Sequence, residues 1–113
     1  MNSTGSALAS ASPEALLLYR ALLTSLRSLG PFEEESKTTS VHLTNKSAFV
    51  GVHFRRKYLI LTIKSAERID SPRVIKAEQV SKNRWHCDVR FTPETEIDAS
   101  LKAWMKNAYL LCG

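Results

Sequence analysis

No run of eighteen apolar residues occurs in this sequence of 113 residues, so a membrane-crossing helix is not expected. Glycine is scarce: the four glycines stand far apart, at positions 5, 30, 51 and 113, so no glycine-rich loop is available to cradle a phosphate. The two cysteines, Cys87 and Cys112, have neither the spacing of a metal knuckle nor the number of a disulfide framework. Cys87 alternates into a predicted strand interior, where a free thiol behaves as a small hydrophobe, and a reducing cytoplasm fits both cysteines. His42, His53 and His86 fall on three different predicted strands, with no HxH or HExxH spacing, and read as polar strand residues facing water. Carboxylates cluster at Glu33, Glu34 and Glu35 and again at Glu94, Glu96 and Asp98. The second group is explained by the start of a helix, and neither forms a specific acid–base pair. No catalytic residue, metal or cofactor is therefore expected.

The opening "MNSTGSALASASP" holds small residues but no basic region. Pro13 interrupts it before the leucines, so it reads as a disordered tail over residues 1–11 rather than a signal peptide. Residues 12–113 then read as one domain, large enough for a modest two-layer core. Ser12-Pro13-Glu14 has the chemistry of a helix start: a capping hydroxyl, a proline suited to the first turn and an acid matched to the dipole. Leu16, Tyr19, Leu22, Leu23, Leu26 and Leu29 follow at helical spacing, and Gly30-Pro31 stops the helix.

The acidic run "EEES" reads as a solvated segment. Strands are predicted from the β-branched residues near 38 to Leu43, over 47–54, 58–64, 73–80 and 84–91. In 47–54, Val50, Val52 and Phe54 fall on one face with Ala48, while Phe49, Gly51 and His53 fall on the other. Gly51 suits a close approach or a bulge. The cleanest alternation is at 84–91, with Trp85, Cys87, Val89 and Phe91 inward and Arg84, His86, Asp88 and Arg90 outward. From Glu96 or Asp98 a last helix carries Ile97, Leu101, Trp104, Met105, Ala108 and Leu111 on one stripe. The predicted fold is α+β: an antiparallel sheet of about five strands, with N- and C-terminal helices packed on one face. One core should unite Trp85, Cys87, Val89, Phe91, Leu101 and Trp104.

The remaining signal is cationic. The formal net charge is +5, which favours anionic partners such as nucleic acid or an acidic protein. Arg55-Arg56-Lys57 interrupts two apolar runs at a hairpin tip, where asparagine, glycine or aspartate would be the ordinary choice. Guanidinium groups suit phosphate or carboxylate. Glu33 to Glu35 could supply that partner from within the chain. Lys37, Arg55, Arg56, Arg73, His86 and Arg90 are the candidate anion-binding residues, with Arg84 and Tyr58 beside them on an open sheet face. Outward charges also blunt sheet edges against aggregation, so a merely solvated surface is the competing reading.

Several separated segments keep a familiar order: "SKT" opening the first strand, "AFVGVHFRRKYLIL" across the hairpin, "SPRV" after the irregular loop, "VRF" with the preceding histidine in the last strand, and "IDASLKAWMKNAY" in the helix. Over about residues 31–110 the chain resembles a family of small bacterial domains, domain of unknown function 5655. Lys37, Arg55, Arg56, Pro72, Arg73, His86, Asp98, Trp104 and Tyr109 match its recurrent positions. The resemblance implies a cytosolic α+β domain and brings no catalytic residues. Some relatives carry the label "predicted transport protein", which without a membrane span would describe an accessory role.

The expectation is a non-enzymatic binding or interaction module with a basic face for an anionic ligand, nucleic acid or acidic protein. A homodimer is among its expected partners. The alternative is a small enzyme acting on a phosphorylated or nucleotide-like substrate, with Arg55, Arg56 and Arg73 holding the anion and His86 in acid–base work.

Overall fold

Ser12 begins the first long helix as its chemistry requires: its side-chain oxygen accepts the Ala15 N–H at 3.1 Å, and Pro13 takes the first helical position. In the computed structural model, which describes residues 7–93 and 97–113, the element order is α1 (Ala7–Ser10), α2 (Pro13–Leu26), a 3₁₀ turn (Arg27–Leu29), β1 (Glu33–Ser36), β2 (Ser40–Thr44), β3 (Ala48–Phe54), β4 (Leu59–Ser65), β5 (Val74–Ser81), β6 (Arg84–Phe91) and α3 (Ala99–Leu111). Ala15, Tyr19, Leu22 and Leu26 form the buried stripe of α2, and Leu101, Met105, Ala108 and Tyr109 that of α3. Gly30 leaves the helix at φ 134°, a conformation that disfavours any side chain. A Cβ there would also lie 2.6 Å from the Tyr109 hydroxyl oxygen, which instead donates to the Pro31 carbonyl at 2.7 Å.

The described strands form one antiparallel sheet of six, in the order β1-β2-β3-β4-β6-β5. The α+β expectation holds, with one strand more than the five predicted. The extra strand is β1, "EEES", where every residue is exposed. It lacks any apolar residue, so alternation could not reveal it. It is held by pairing with β2, by the Tyr19 hydroxyl donating to Glu34 at 2.6 Å, and by an Arg27–Glu34 ion pair at 3.5 Å. Thr38 and Thr39, read as strand residues, lie in the turn before Ser40.

Both long helices cover one sheet face. Val41, Leu43, Val50, Val52, Leu59, Leu61, Ile63, Val89 and Phe91 pack beneath them in a single buried cluster. Phe49 departs from the predicted alternation. The β2–β3 register shifts between Leu43 and Thr44, and across that irregularity Phe49 enters the core, edge-on to Phe32 and Tyr109. Trp85 and Trp104 are half-buried rather than central: Trp104 packs against the cluster, whereas Trp85 lies at the start of β6, opposite Gln79 of the outer strand. The tail expected over 1–11 lies outside the described residues for 1–6. Ala7–Ser10 form a helical turn in which Ala7 is buried and its N–H donates to the Lys37 carbonyl at 2.8 Å.

Leu61 is fully buried in the central strand beneath the helices. Leu61→Ala is expected to lower unfolding free energy by about 2–5 kcal/mol in urea titration. A loss below about 1 kcal/mol would mean the site collapses around the void or is not central to the core.

Candidate functional site

β3 and β4 pair as far as Phe54 and Leu59, leaving residues 55–58 as the connecting loop, closed by the Arg55 N–H donating to the Tyr58 carbonyl at 2.9 Å. Arg55, Arg56 and Lys57 are all exposed there. The β1–β2 turn, residues 37–39, reaches the same end of the sheet, because Ser40 pairs with His53 just before that loop. The start of α2 arrives there too: the Ser12 hydroxyl donates to the Arg56 carbonyl. These three pieces of chain, distant in sequence, enclose a groove of about 610 Å³ whose polar lining is Ser10, Ser12, Thr38, Thr39, Arg55 and Arg56, with Phe54 at its apolar side.

The electrostatics of this end follow from topology. α3 begins near Arg73 at the start of β5 and ends where its Cys112 carbonyl accepts the N–H groups of Lys46 and Ser47 in the opposite turn. α2 likewise starts at the Arg56 end and finishes toward Glu34. The two helices therefore run the same way and present their partly positive N-termini at the end that carries Arg55, Arg56 and Lys57. Asp98 caps α3, accepting the Leu101 N–H at 3.0 Å. That bond, and then Arg73, hold its carboxyl below the usual carboxylate range. At α2 the only acid of the first turn, Glu14, is exposed and outside the groove lining.

The predicted site residues separate into groups. Arg55 and Arg56 line the groove, and among the described residues neither makes an ion pair. The partner that Glu33 to Glu35 might have supplied is absent: Glu34 is engaged by Tyr19 and Arg27, and Glu35 accepts from Thr44 Oγ1 at 3.3 Å. Lys37 stands in the adjoining turn, exposed, with its carbonyl tied to Ala7. Arg90 is one residue in from this end, opposite Ile60, with its guanidinium 5.3 Å from the Tyr58 ring centroid. Arg73 is engaged by both carboxylate oxygens of Asp98, at 3.0 and 3.2 Å, and lies 5.5 Å from the Trp104 ring centroid. His86 faces Lys64 and Glu78 across the strands, about 17 Å along the sheet from the 55–58 loop at ~3.4 Å per residue.

Ser10, Ser12, Thr38 and Thr39 were not among the predicted site residues. Ser12 was legible as a helix cap, but only the tertiary fold brings that cap against the hairpin.

The uncovered sheet face carries a second polar hollow of about 320 Å³, lined by His53, Thr62, Lys76, Glu78, His86 and Asp88. Thr62 Oγ1 donates to Asp88 Oδ1 at 2.7 Å. His42, His53 and Thr62 surround Gly51, each within 4 Å of where a Cβ would stand. Among the described residues no group of three His, Cys, Asp or Glu side chains is arranged to hold a metal ion, and no helix is long and apolar enough to cross a membrane.

Residues 4–111 match the family model of the domain of unknown function DUF5655. The chain belongs to this family. The match spans nearly the whole sequence and carries no activity with it, and within the DUF5655 chain both long helices and all six strands fall inside the matched range. No curated protein and no solved structure matches the chain.

Burial lowers the pKa of both His53 and His86. Arg55 and His42 add to the effect at His53, and Lys64 adds to it at His86, while nearby carboxylates oppose it. Each imidazole is thus less easily protonated in the fold than in the unfolded chain. Their contribution to stability is complete above the unfolded value of 6.5 and is lost as pH falls through the folded values. NMR titration should place both midpoints below 6.5. Midpoints above that value would show that Asp88 or Glu78 outweighs burial.

Proposed function

We propose that this DUF5655 domain is a non-enzymatic binding module that holds a phosphate-bearing ligand, in the groove between the start of α2 and the two hairpin turns. The observation that carries this reading is the pair Arg55 and Arg56: two guanidinium groups without an acidic partner among the described residues, lining one concavity with four hydroxyl side chains. Adjacent like charges repel, and an oxyanion relieves that repulsion while accepting hydrogen bonds from the guanidinium groups and from the Ser10, Thr38 and Thr39 hydroxyls, the Ser12 proton being committed to the Arg56 carbonyl. The N-terminus of α2 adds favourable potential at the same place. Arg90, stacked on Tyr58, and Lys37 extend the positive end for a longer anionic partner, a nucleic acid or an acidic protein.

The module reading is favoured over the enzyme alternative because the four residues that alternative needs do not converge. Arg73 is occupied by Asp98, and His86 lies far along the sheet from Arg55 and Arg56. A cytoplasmic setting is supported by Cys87 and Cys112, both free and buried.

The test is binding of a fluorescent oligonucleotide, alongside pyrophosphate, over a series of salt concentrations. With three or four phosphates engaged, log affinity should fall against log salt with a slope of about −3. Arg55→Gln/Arg56→Gln should reduce that slope by roughly two charges' worth and leave unfolding free energy within about 1 kcal/mol. Absence of salt-dependent binding, or equal binding by the double variant, would remove the functional meaning of these arginines.

A further inference from the structure

Two edges bound the sheet, and they are built differently. β1 is four residues long, wholly exposed, and carries three consecutive glutamates, which discourage a further strand from adding. β5 is twice that length and carries Ile75 and Val80, 51% and 47% exposed. Its outer side has no partner strand among the described residues.

We infer that β5 pairs antiparallel with β5 of a second copy of this chain about a two-fold axis through Ala77, continuing the sheet across the dimer. The segment Lys76-Ala77-Glu78 is complementary to its own reverse in that register. Lys76 comes opposite the partner's Glu78, and Glu78 opposite the partner's Lys76. Directly opposed side chains in such a ladder lie about 4.5–5.5 Å apart at Cβ, close enough for each ion pair to form.

Within one chain Lys76 already opposes Asp88 and Glu78 opposes His86, so both side chains project from the uncovered face. The dimer would extend these into rows running Asp88, Lys76, the partner's Glu78, the partner's His86. Neighbouring registers are disfavoured. Sliding two residues one way sets Glu78 against the partner's Glu78, and two the other way sets Lys76 against the partner's Lys76. A one-residue slip removes both ion pairs and turns the faces over. The register irregularities at Ile75 and Val80 bracket Lys76 to Gln79, which keeps the regular pairing to the segment that contains the charges.

Sedimentation equilibrium from micromolar to millimolar protein at low salt is expected to show a monomer–dimer equilibrium. Lys76→Glu and Glu78→Lys, each creating two like-charge contacts by symmetry, should each weaken the dimer on the order of tenfold or more. The combined Lys76→Glu/Glu78→Lys chain should recover it. Lys76→Glu also sets a carboxylate against Asp88 within the chain, so circular dichroism and melting temperature are recorded for every variant. Independently of any variant, backbone amide exchange over residues 75–79 should slow as the protein concentration of the unaltered chain rises. A monomer at every concentration would overturn the inference, as would a dimer indifferent to both single reversals or one that the combined change does not restore.

Discussion

The burial of Val50, Val52, Leu59, Leu61 and Ile63 beneath α2 and α3 is the contact on which the rest of this structure depends. Burying apolar area on one side of β3 and β4 fixes their register, since a slip of one residue would send these side chains to water and Thr62, His53 and Lys64 inward. It also fixes which face stays uncovered. That face is mostly polar: His42, His53, Thr62, His86, Asp88 and Arg90 belong to the outward half of the same alternation, with Ile60 buried between His53 and Arg90. α3 is held over the sheet at both ends, by Arg73 on Asp98 and by the Cys112 carbonyl on the β2–β3 turn, with Tyr109 hydrogen-bonded to Pro31 between them.

Helix direction is the second consequence. With both helices on one face and running the same way, the sheet acquires a positive end before any side chain is counted. Asp98 answers that potential at α3. At α2 the adjoining hairpin adds Arg55, Arg56 and Lys57 instead, so charge accumulates where the fold already favours an anion. The groove beside Ser12, Thr38 and Thr39 thus arises from topology and turn composition together.

Legibility from sequence followed the same physics. Strands β3, β4 and β6 and both long helices could be read to within a few residues because each buries one side only, which imprints a period on the chain. β1 could not be read, because "EEES" buries nothing and exists through its pairing with β2. Phe49 was placed on the wrong face because a bulge resets alternation without any mark in composition. The hairpin arginines were legible as a turn. That Arg73 would be taken by Asp98, 25 residues further on, and that Ser12 would close a groove against Arg56, depend on tertiary contacts no local pattern encodes.

The proposed anion site of this DUF5655 domain is the α2 end of the sheet and not its open face. Mapping of backbone amide shifts by two-dimensional NMR during titration with pyrophosphate addresses this directly. The account requires the largest shifts at residues 12–15, 38–39 and 55–57, moving together with one dissociation constant. Shifts centred on His53, Thr62, His86 and Asp88, or none beyond those caused by equal ionic strength of sodium chloride, would contradict it.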